Sequence, residues 1–318
     1  MRSGMRIISI SLVWVLVAGL QVVWGADTEA LMKTATEGKG VASRRAARKI
    51  IAMGKAAKTE IMALTAANDI VIKRAALRCV VDISGPDALP ALKQALMDPS
   101  ALVRLVAAEE LVAVKPRSKA VRDLLMAATK DKDIAVRQAA AAAFWSFHRD
   151  VTPLRKRADW DHAIEVVARK PLPVTGWKFQ TDPGQLGHVE GWFAPALDET
   201  NWHAIEIGKF WHDALPKKVG HFEGIGWYRT TVTFPEKPAG EFHQAVLHFE
   251  ANDESTWVWL NGQYAGRYDI GPSGWMTPCD VEISPFVKWG KPNQITVRIL
   301  NTAGAGGIWK PAEFQVLK

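Results

Sequence analysis

Ten of the chain's 14 tryptophans lie between residues 161 and 318. A core of that size does not need so much indole, so part of it should stand at loops. Flat aromatic faces stack on the apolar C–H face of a pyranose, and planar polar groups take its hydroxyls. A sugar site in this half would draw on such groups. Trp275, in Gly274-Trp275-Met276 between turn residues, is the first candidate for an exposed platform. Trp309 and Asn301 lie around the glycine-rich stretch Ala303-Gly304-Ala305-Gly306-Gly307, and Asp253 ends a loop where it could accept a hydroxyl. Trp211 and Glu223 complete the candidate set. Trp257 and Trp259 share one strand face, which is either an open aromatic stripe or, as expected here, buried beneath the N-terminal segment.

Other chemistries find no residues. Ser-His-Asp spacing, His-x-His pairs, a phosphate loop and a nucleophile elbow are absent. The histidines of this half (His162, His188, His203, His212, His221, His243 and His248) are scattered, and no cofactor is expected. A structural calcium ion held by loop carboxylates and carbonyls stays open. Cys79 and Cys279 fall one in each half and read as buried small residues, since an exported disulfide framework would carry several, closely spaced.

The elements that must position these side chains are strands. Residues 244–250, 256–260 and 294–300 alternate, and 230–234 and 314–317 add two more. Turn signals separate them, among them Asn252-Asp253, Gly271-Pro272-Ser273-Gly274 and Gly290-Lys291-Pro292-Asn293. Asn261-Gly262 between two apolar strands predicts a two-residue hairpin. Short strands without intervening helices make an antiparallel sandwich.

Five stretches then occur in order: Gly224-Ile225-Gly226-Trp227-Tyr228-Arg229, Leu247 to Asp253, Thr256-Trp257-Val258-Trp259-Leu260-Asn261-Gly262-Gln263, Asp280 to Val287 with Gly290 to Arg298, and Gly306-Gly307-Ile308-Trp309-Lys310-Pro311. Together they resemble the jelly-roll, galactose-binding-like sugar-binding domain of family 2 glycoside hydrolases, the β-galactosidase and β-glucuronidase group. Trp177-Lys178-Phe179, Asp198 to Trp202 and Trp211 suit that domain's start. The resemblance implies that the glycine-rich loop is the one that approaches a catalytic barrel. It also implies an acid and a nucleophile, both glutamates, on barrel strand ends. Such a barrel takes about 250 residues, and Lys318 follows the sandwich directly. Resemblance to a hydrolase domain therefore does not carry hydrolysis with it.

The first half has a helical period. Apolar residues recur at i, i+3, i+4, as in Leu89, Leu92, Leu96, and breaks such as Ser84-Gly85-Pro86 and Asp131-Lys132-Asp133 leave helices of about 12–15 residues. Ser43-Arg44-Arg45-Ala46-Ala47, Ile72-Lys73-Arg74-Ala75-Ala76, Val103-Arg104-Leu105-Val106-Ala107 and Val136-Arg137-Gln138-Ala139-Ala140 align, with basic residues 29, 31 and 33 apart. A fixed period with one helix pair per unit marks a solenoid. Asp69 and Asp133, four before the basic residue, can cap their helices, and the basic side chain can reach carbonyls or carboxylates of the next unit. These units resemble HEAT-type repeats over roughly 40–148, the first being degenerate with Gly40 in the Asp position. The resemblance implies a protein-binding or spacer role.

The fold class expected is thus multidomain: an all-α HEAT-like solenoid followed by an all-β jelly-roll sandwich. Residues 1–26, with Arg2 and Arg6, an apolar Ile7–Trp24 run and small Gly25-Ala26, read as a secretory signal peptide, the alternative being an uncleaved anchor. Residues 27–150 form the helical repeats. A connector, 151–172, follows, with a short helix expected near Trp160–Ala168. The sandwich takes 173–318. Between residues 27 and 160 there are 24 Lys and Arg against 15 Asp and Glu; between 161 and 318, 14 against 18. Export argues against nucleic acid as the partner of the basic half and favours an anionic polysaccharide, anionic headgroups or an acidic protein. The reading is an exported (periplasmic, secreted or cell-surface) carbohydrate-binding protein without catalysis, on a helical interaction scaffold. The alternatives are a sugar-binding component of a family 2-type glycoside hydrolase without its own barrel, and a pure protein-interaction scaffold. The partners expected are a glycan or polysaccharide and a protein on the repeats, with a membrane only if the first segment stays uncleaved.

Overall fold

The computed structural model describes residues 28–35, 37, 41–53, 58–157 and 163–318. The expected signal segment, Gly40, Trp160 and His162 lie outside them. Two compact units divide between Ala143 and Phe144.

In the first unit, residues 28–35 are helical. Helices α1 (Val41–Met53), α2 (Lys58–Leu64), α3 (Ile70–Ser84), α4 (Leu89–Ala95), α5 (Ala101–Ala113), α6 (Lys119–Ala128) and α7 (Ile134–Ala142) follow. The longer helices stack in succession, α1 on α3, α3 on α5 and α5 on α7, through buried small residues such as Ala76, Ala107 and Ala140. Alanine lets the axes approach, and β-branched Val80, Val106 and Val136 fill the seams. Asp69 caps α3, accepting the N–H of Val71 at 2.8 Å and of Ile72 at 3.2 Å, and Asp133 caps α7 through Ala135 and Val136. The basic ladder links units. Lys73 reaches Asp98 at 2.7 Å, and Arg104 forks onto Asp131 at 2.8 and 3.0 Å while donating to the carbonyls of Asp98 and Pro99. Arg137 donates to the carbonyls of Asp131 and Lys132. Arg104 is 4% exposed, so its guanidinium depends on that carboxylate. The hydrogen bond from Arg104 in turn holds the Asp131 carboxyl below the usual range.

The second unit is a sandwich of two antiparallel sheets. Its strands are β1 (Val166–Pro171), β2 (Trp177–Thr181), β3 (His203–Ile205), β4 (Gly224–Thr233), β5 (Gln244–Phe249), β6 (Ser255–Leu260), β7 (Gln263–Asp269), β8 (Cys279–Glu282), β9 (Pro292–Asn301) and β10 (Ala312–Leu317). One sheet runs β1-β10-β5-β8 and the other β3-β2-β4-β9-β6-β7. Phe179, Tyr228, Val258, Val297 and Ile299 meet Leu247, Phe249, Phe314 and Val316 in the core between them. Asn261 (φ 53°) and Gly262 (φ 81°) both take left-handed backbone, so the hairpin between β6 and β7 is the expected two-residue turn.

Two expectations are corrected. The stretch expected as a short helix near Trp160–Ala168 holds, in its described part, the start of β1, which pairs along the free edge of β10. Its side chains alternate in burial, and only the tertiary partner reveals that edge. The stretch expected as connector is also largely built into the sandwich. Leu154 is buried against Val246 and Leu317, its N–H donating to Gln244 at 2.9 Å. Arg155 forks onto Asp280 at 2.7–2.8 Å and reaches Gln315. Burial works against ionisation of Asp280, but hydrogen bonds from His248 and Arg155 outweigh it and hold the carboxyl low.

The sandwich also begins earlier than the connector. Trp145 and Phe147 lie on the outer face of the six-stranded sheet, with rings 5.9 Å from Trp257 and 5.1 Å from Trp259. The Arg298 guanidinium sits 5.0 Å from the Trp145 ring and 4.4 Å from that of Trp257. Burial lowers its pKa to about 10. Trp257 and Trp259 are thus covered, as expected. Arg149 anchors the end of the cover on Ala265 O, Glu282 O and the Glu282 carboxylate. Cys279 is buried and Cys79 half-buried, both as free thiols.

Replacing Trp145 and Phe147 together by alanine should lower the stability of the sandwich by about 2–4 kcal/mol, since two aromatic rings and the cover of Arg298 go at once. Urea unfolding followed by tryptophan fluorescence reads this. In the helical unit, Asp131→Ala should cost about 3–5 kcal/mol by leaving a buried guanidinium unpaired. Asp87→Ala, at an exposed pair with Lys58, should cost far less, because water and salt screen that pair. Equal effects in thermal melts would contradict the role given to Arg104.

Candidate functional site

Four segments converge at one end of the sandwich. The short helix α8 (Trp211–Ala214) and the loop before it zip onto the glycine-rich stretch. Gly208 N–H donates to Ile308 O at 2.8 Å, and Trp211 N–H to Gly306 O at 2.8 Å. Asp253 N–H donates to Gly307 O at 3.0 Å, and Lys310 N–H to Ala251 O at 3.3 Å. Gly307 (φ 133°) is required there, because a Cβ would stand 2.9 Å from the Tyr228 hydroxyl.

On this base the rings form a pile. Trp275 stacks on Trp309 (centroids 5.6 Å, planes 27° apart) and Trp309 on Phe210 (5.1 Å, 21°). Phe210 stacks on His212 (5.6 Å, 7°) and His212 on His221 (4.4 Å, 24°). The Trp309 indole N–H donates to Trp275 O at 2.8 Å, fixing the backbone that carries the outer ring. The Lys310 ammonium lies 5.0 Å from the Trp309 ring centre. Trp275 is 41% exposed, so the pile ends in a ring open to solvent and held from behind. A ring restrained in this way loses little freedom when a sugar stacks on it.

The predicted site residues separate into two groups. Trp275 and Trp309 come together as a stacked pair, and Glu223 is exposed. Trp211, Asn301 and Asp253 are buried in the base. Trp211 is fully buried against Phe179 and Phe222, with no face to offer a ligand. Asn301 donates to Phe222 O and Gly304 O and accepts the Ala303 N–H, which shapes the glycine-rich turn. The sequence expectations did not include Phe210, His212 and His221. Phe210 and His212 carry a signal in the run Phe210-Trp211-His212, three ring side chains in succession, while His221 stands apart from it.

Asp253 is 2% exposed, and among the described residues its Oδ2 has no hydrogen-bond partner. Burial raises the carboxyl to about 7, with the neighbouring charge of Glu254 adding to the effect. Glu254 itself is satisfied, accepting from the N–H and hydroxyl of Thr302. Among the described residues no three His, Cys, Asp or Glu side chains gather as a metal-ligand group. No described helix is long and apolar enough to cross a membrane.

Comparison with known proteins agrees with this architecture. Residues 60–145 match the family described as HEAT repeats, and residues 174–308 the one described as glycosyl hydrolases family 2, sugar binding domain. Over 124 residues the chain is 28% identical to Beta-galactosidase BoGH2A of Bacteroides ovatus, a match covering 36% of this chain and 14% of that protein. A solved b-glucuronidase from Ruminococcus gnavus in complex with C6-substituted uronic isofagomine aligns at 20% identity with a TM-score of 0.42, covering 48% of this chain and 30% of that one. The same enzyme in complex with D-glucuronic acid aligns at a TM-score of 0.40, also at 20% identity, covering 49% and 31%. The chain therefore spans less than a third of the length of each.

The Asp253 carboxyl yields a pH prediction. Its folded pKa, about 7, stands above the ordinary value near 4, so the folded state holds the proton more tightly. The group's contribution to stability is complete below about pH 4 and is lost as pH rises to about 7. Asp253→Asn should remove that decline and stabilise the sandwich above pH 7 by on the order of 1–3 kcal/mol. Urea midpoints of both proteins between pH 4 and 8 decide it; parallel pH profiles would contradict the assignment.

Proposed function

Starting from a sugar-binding domain of the family 2 glycosyl hydrolase type joined to HEAT repeats, we propose that this chain is a carbohydrate-binding protein that does no catalysis itself. The observation that carries this reading is Trp275, an exposed indole backed by a pile of parallel rings at the loop end of the sandwich. The arrangement suits binding, because the pile presents ring surface while the carboxylates beneath it, Asp253 and Glu254, are buried in the loop base. A sugar ring stacks on Trp275, and polar groups at the rim such as Glu223 take hydroxyls. The names of the relatives make β-galactosides and β-glucuronides the first ligands to assay. The basic, apolar and small residues of segment 1–26 support export to the periplasm, cell surface or medium. The helical repeats serve as the scaffold that docks a partner.

The second reading, a sugar-binding component that works beside a separately supplied catalytic barrel, is favoured by the match of residues 174–308.

Glycan-array screening followed by calorimetry tests the first reading. Trp275→Ala should weaken glycan binding roughly tenfold or more. Trp309→Ala should weaken it as well by releasing the Trp275 backbone, and the exposed Val174→Ala should change nothing. Binding that is indifferent to both tryptophans would remove the platform. Turnover of chromogenic glycosides by the purified chain would refute the non-catalytic assignment.

A further inference from the structure

Among the described residues of the helical unit, six large apolar side chains are exposed: Val41, Ile70, Met97, Leu102, Met126 and Ile134. They are 42% to 64% exposed and they are not scattered. Val41, Ile70 and Ile134 are the first residues of α1, α3 and α7, and Leu102 is the second of α5. Met97 lies in the turn leading into α5, and Met126 in the last turn of α6. All six therefore stand on the edge where the first helix of each pair hands over to the second. Since α1, α3, α5 and α7 stack in succession, the edge carries one apolar residue per repeat, at steps of roughly 10 Å. Isolated exposed apolar residues need no explanation, but a row in register along one edge does.

The charges of this edge are arranged with a sign. Apart from the exposed Glu37, four residues before Val41, its described carboxylates are engaged internally. Asp69 caps α3 and receives Lys33 at 3.4 Å, Asp98 is held by Lys73, Asp131 by Arg104, and Asp133 caps α7. Lys130 and Lys132 stand exposed in the last turn, beside Ile134. The unit's sequence carries a surplus of Lys and Arg as well. The occupant must therefore be flat enough to meet a row of turn tips, apolar at shallow depth and anionic at its surface. A helix-in-groove partner needs walls, and a crest of turns has none. Apolar tips flanked by lysines are the chemistry of interfacial binding to anionic lipid.

We propose that this edge of the helical repeats docks on an anionic lipid surface, with Ile70, Leu102 and Ile134 entering the headgroup region and Lys130 and Lys132 facing the phosphates. The contact is separate from the glycan platform and independent of whether segment 1–26 is removed.

The test is hydrogen–deuterium exchange of the full chain with phosphatidylcholine vesicles and with vesicles that also contain phosphatidylglycerol. With the anionic vesicles, peptides spanning 96–102 and 129–134 should exchange about fivefold more slowly or better. The protection should be absent with neutral vesicles and should fade at about 0.5 M salt. The variant Ile70→Asp/Leu102→Asp/Ile134→Asp should abolish it. Acidic residues are favourable in the first turn of a helix, so this variant keeps its fold, which circular dichroism verifies. Adding one Asp off the edge, Val174→Asp, should leave the protection intact. Three results would overturn the proposal: no slowing at these turns with anionic vesicles, slowing that survives the triple variant, or turns already protected without lipid in a chain that light scattering shows to be self-associated. Because the readout is confined to the turns, loss of glycan binding has no bearing on it.

Discussion

The six-stranded sheet is apolar on both faces, and much of what surrounds the sandwich core follows from having to cover the second one. Its inner face meets the four-stranded sheet. Its outer face carries Trp227, Trp257 and Trp259 around Arg298, a cation in the central strand. Bare, that face would expose several hundred square ångströms of aromatic surface, the scale at which patches associate. Trp145 and Phe147 cover the part next to β6, with the guanidinium of Arg298 between Trp145 and Trp257. Phe193 joins them there by stacking on Trp259, while Trp192 and Trp202 cover the part next to β4, where Arg229 pairs with Glu199 and donates to the carbonyls of Trp192 and Ala194. Each half of the cover thus pairs aromatic rings with an arginine of the sheet, and neither half is an ordinary linker.

The same economy governs the loop end. One ring remains open at this end while the groups beneath it are held in place. The structure achieves this by stacking rings from separate loops and by closing the base with backbone hydrogen bonds that only glycine at 307 permits. Asp253 marks where this packing is incompletely satisfied. A carboxyl sealed in this base is most comfortable when protonated, so the base of the site is coupled to pH. In the helical unit the buried cation Arg104 is treated differently. It receives a forked carboxylate and two carbonyls, and the stack gains a specific register from that match.

The sequence alone was sufficient for the two periods, the repeat, the Asp caps and the Asn261-Gly262 hairpin. Each depends on residues close together along the chain, and local backbone preference and side-chain periodicity are written there. It also sufficed for the exposure of Trp275, because a tryptophan among turn residues has few ways to be buried. Tertiary structure decided the rest. Trp211, Asn301 and Asp253 have the composition of a sugar site, yet they build the loop base, because burial is set by strands and loops distant in sequence. The edge strand β1 and the roles of Trp145 and Arg155 were invisible for the same reason: hydrogen-bonding edges and uncovered aromatic faces exist only once the sheets have assembled.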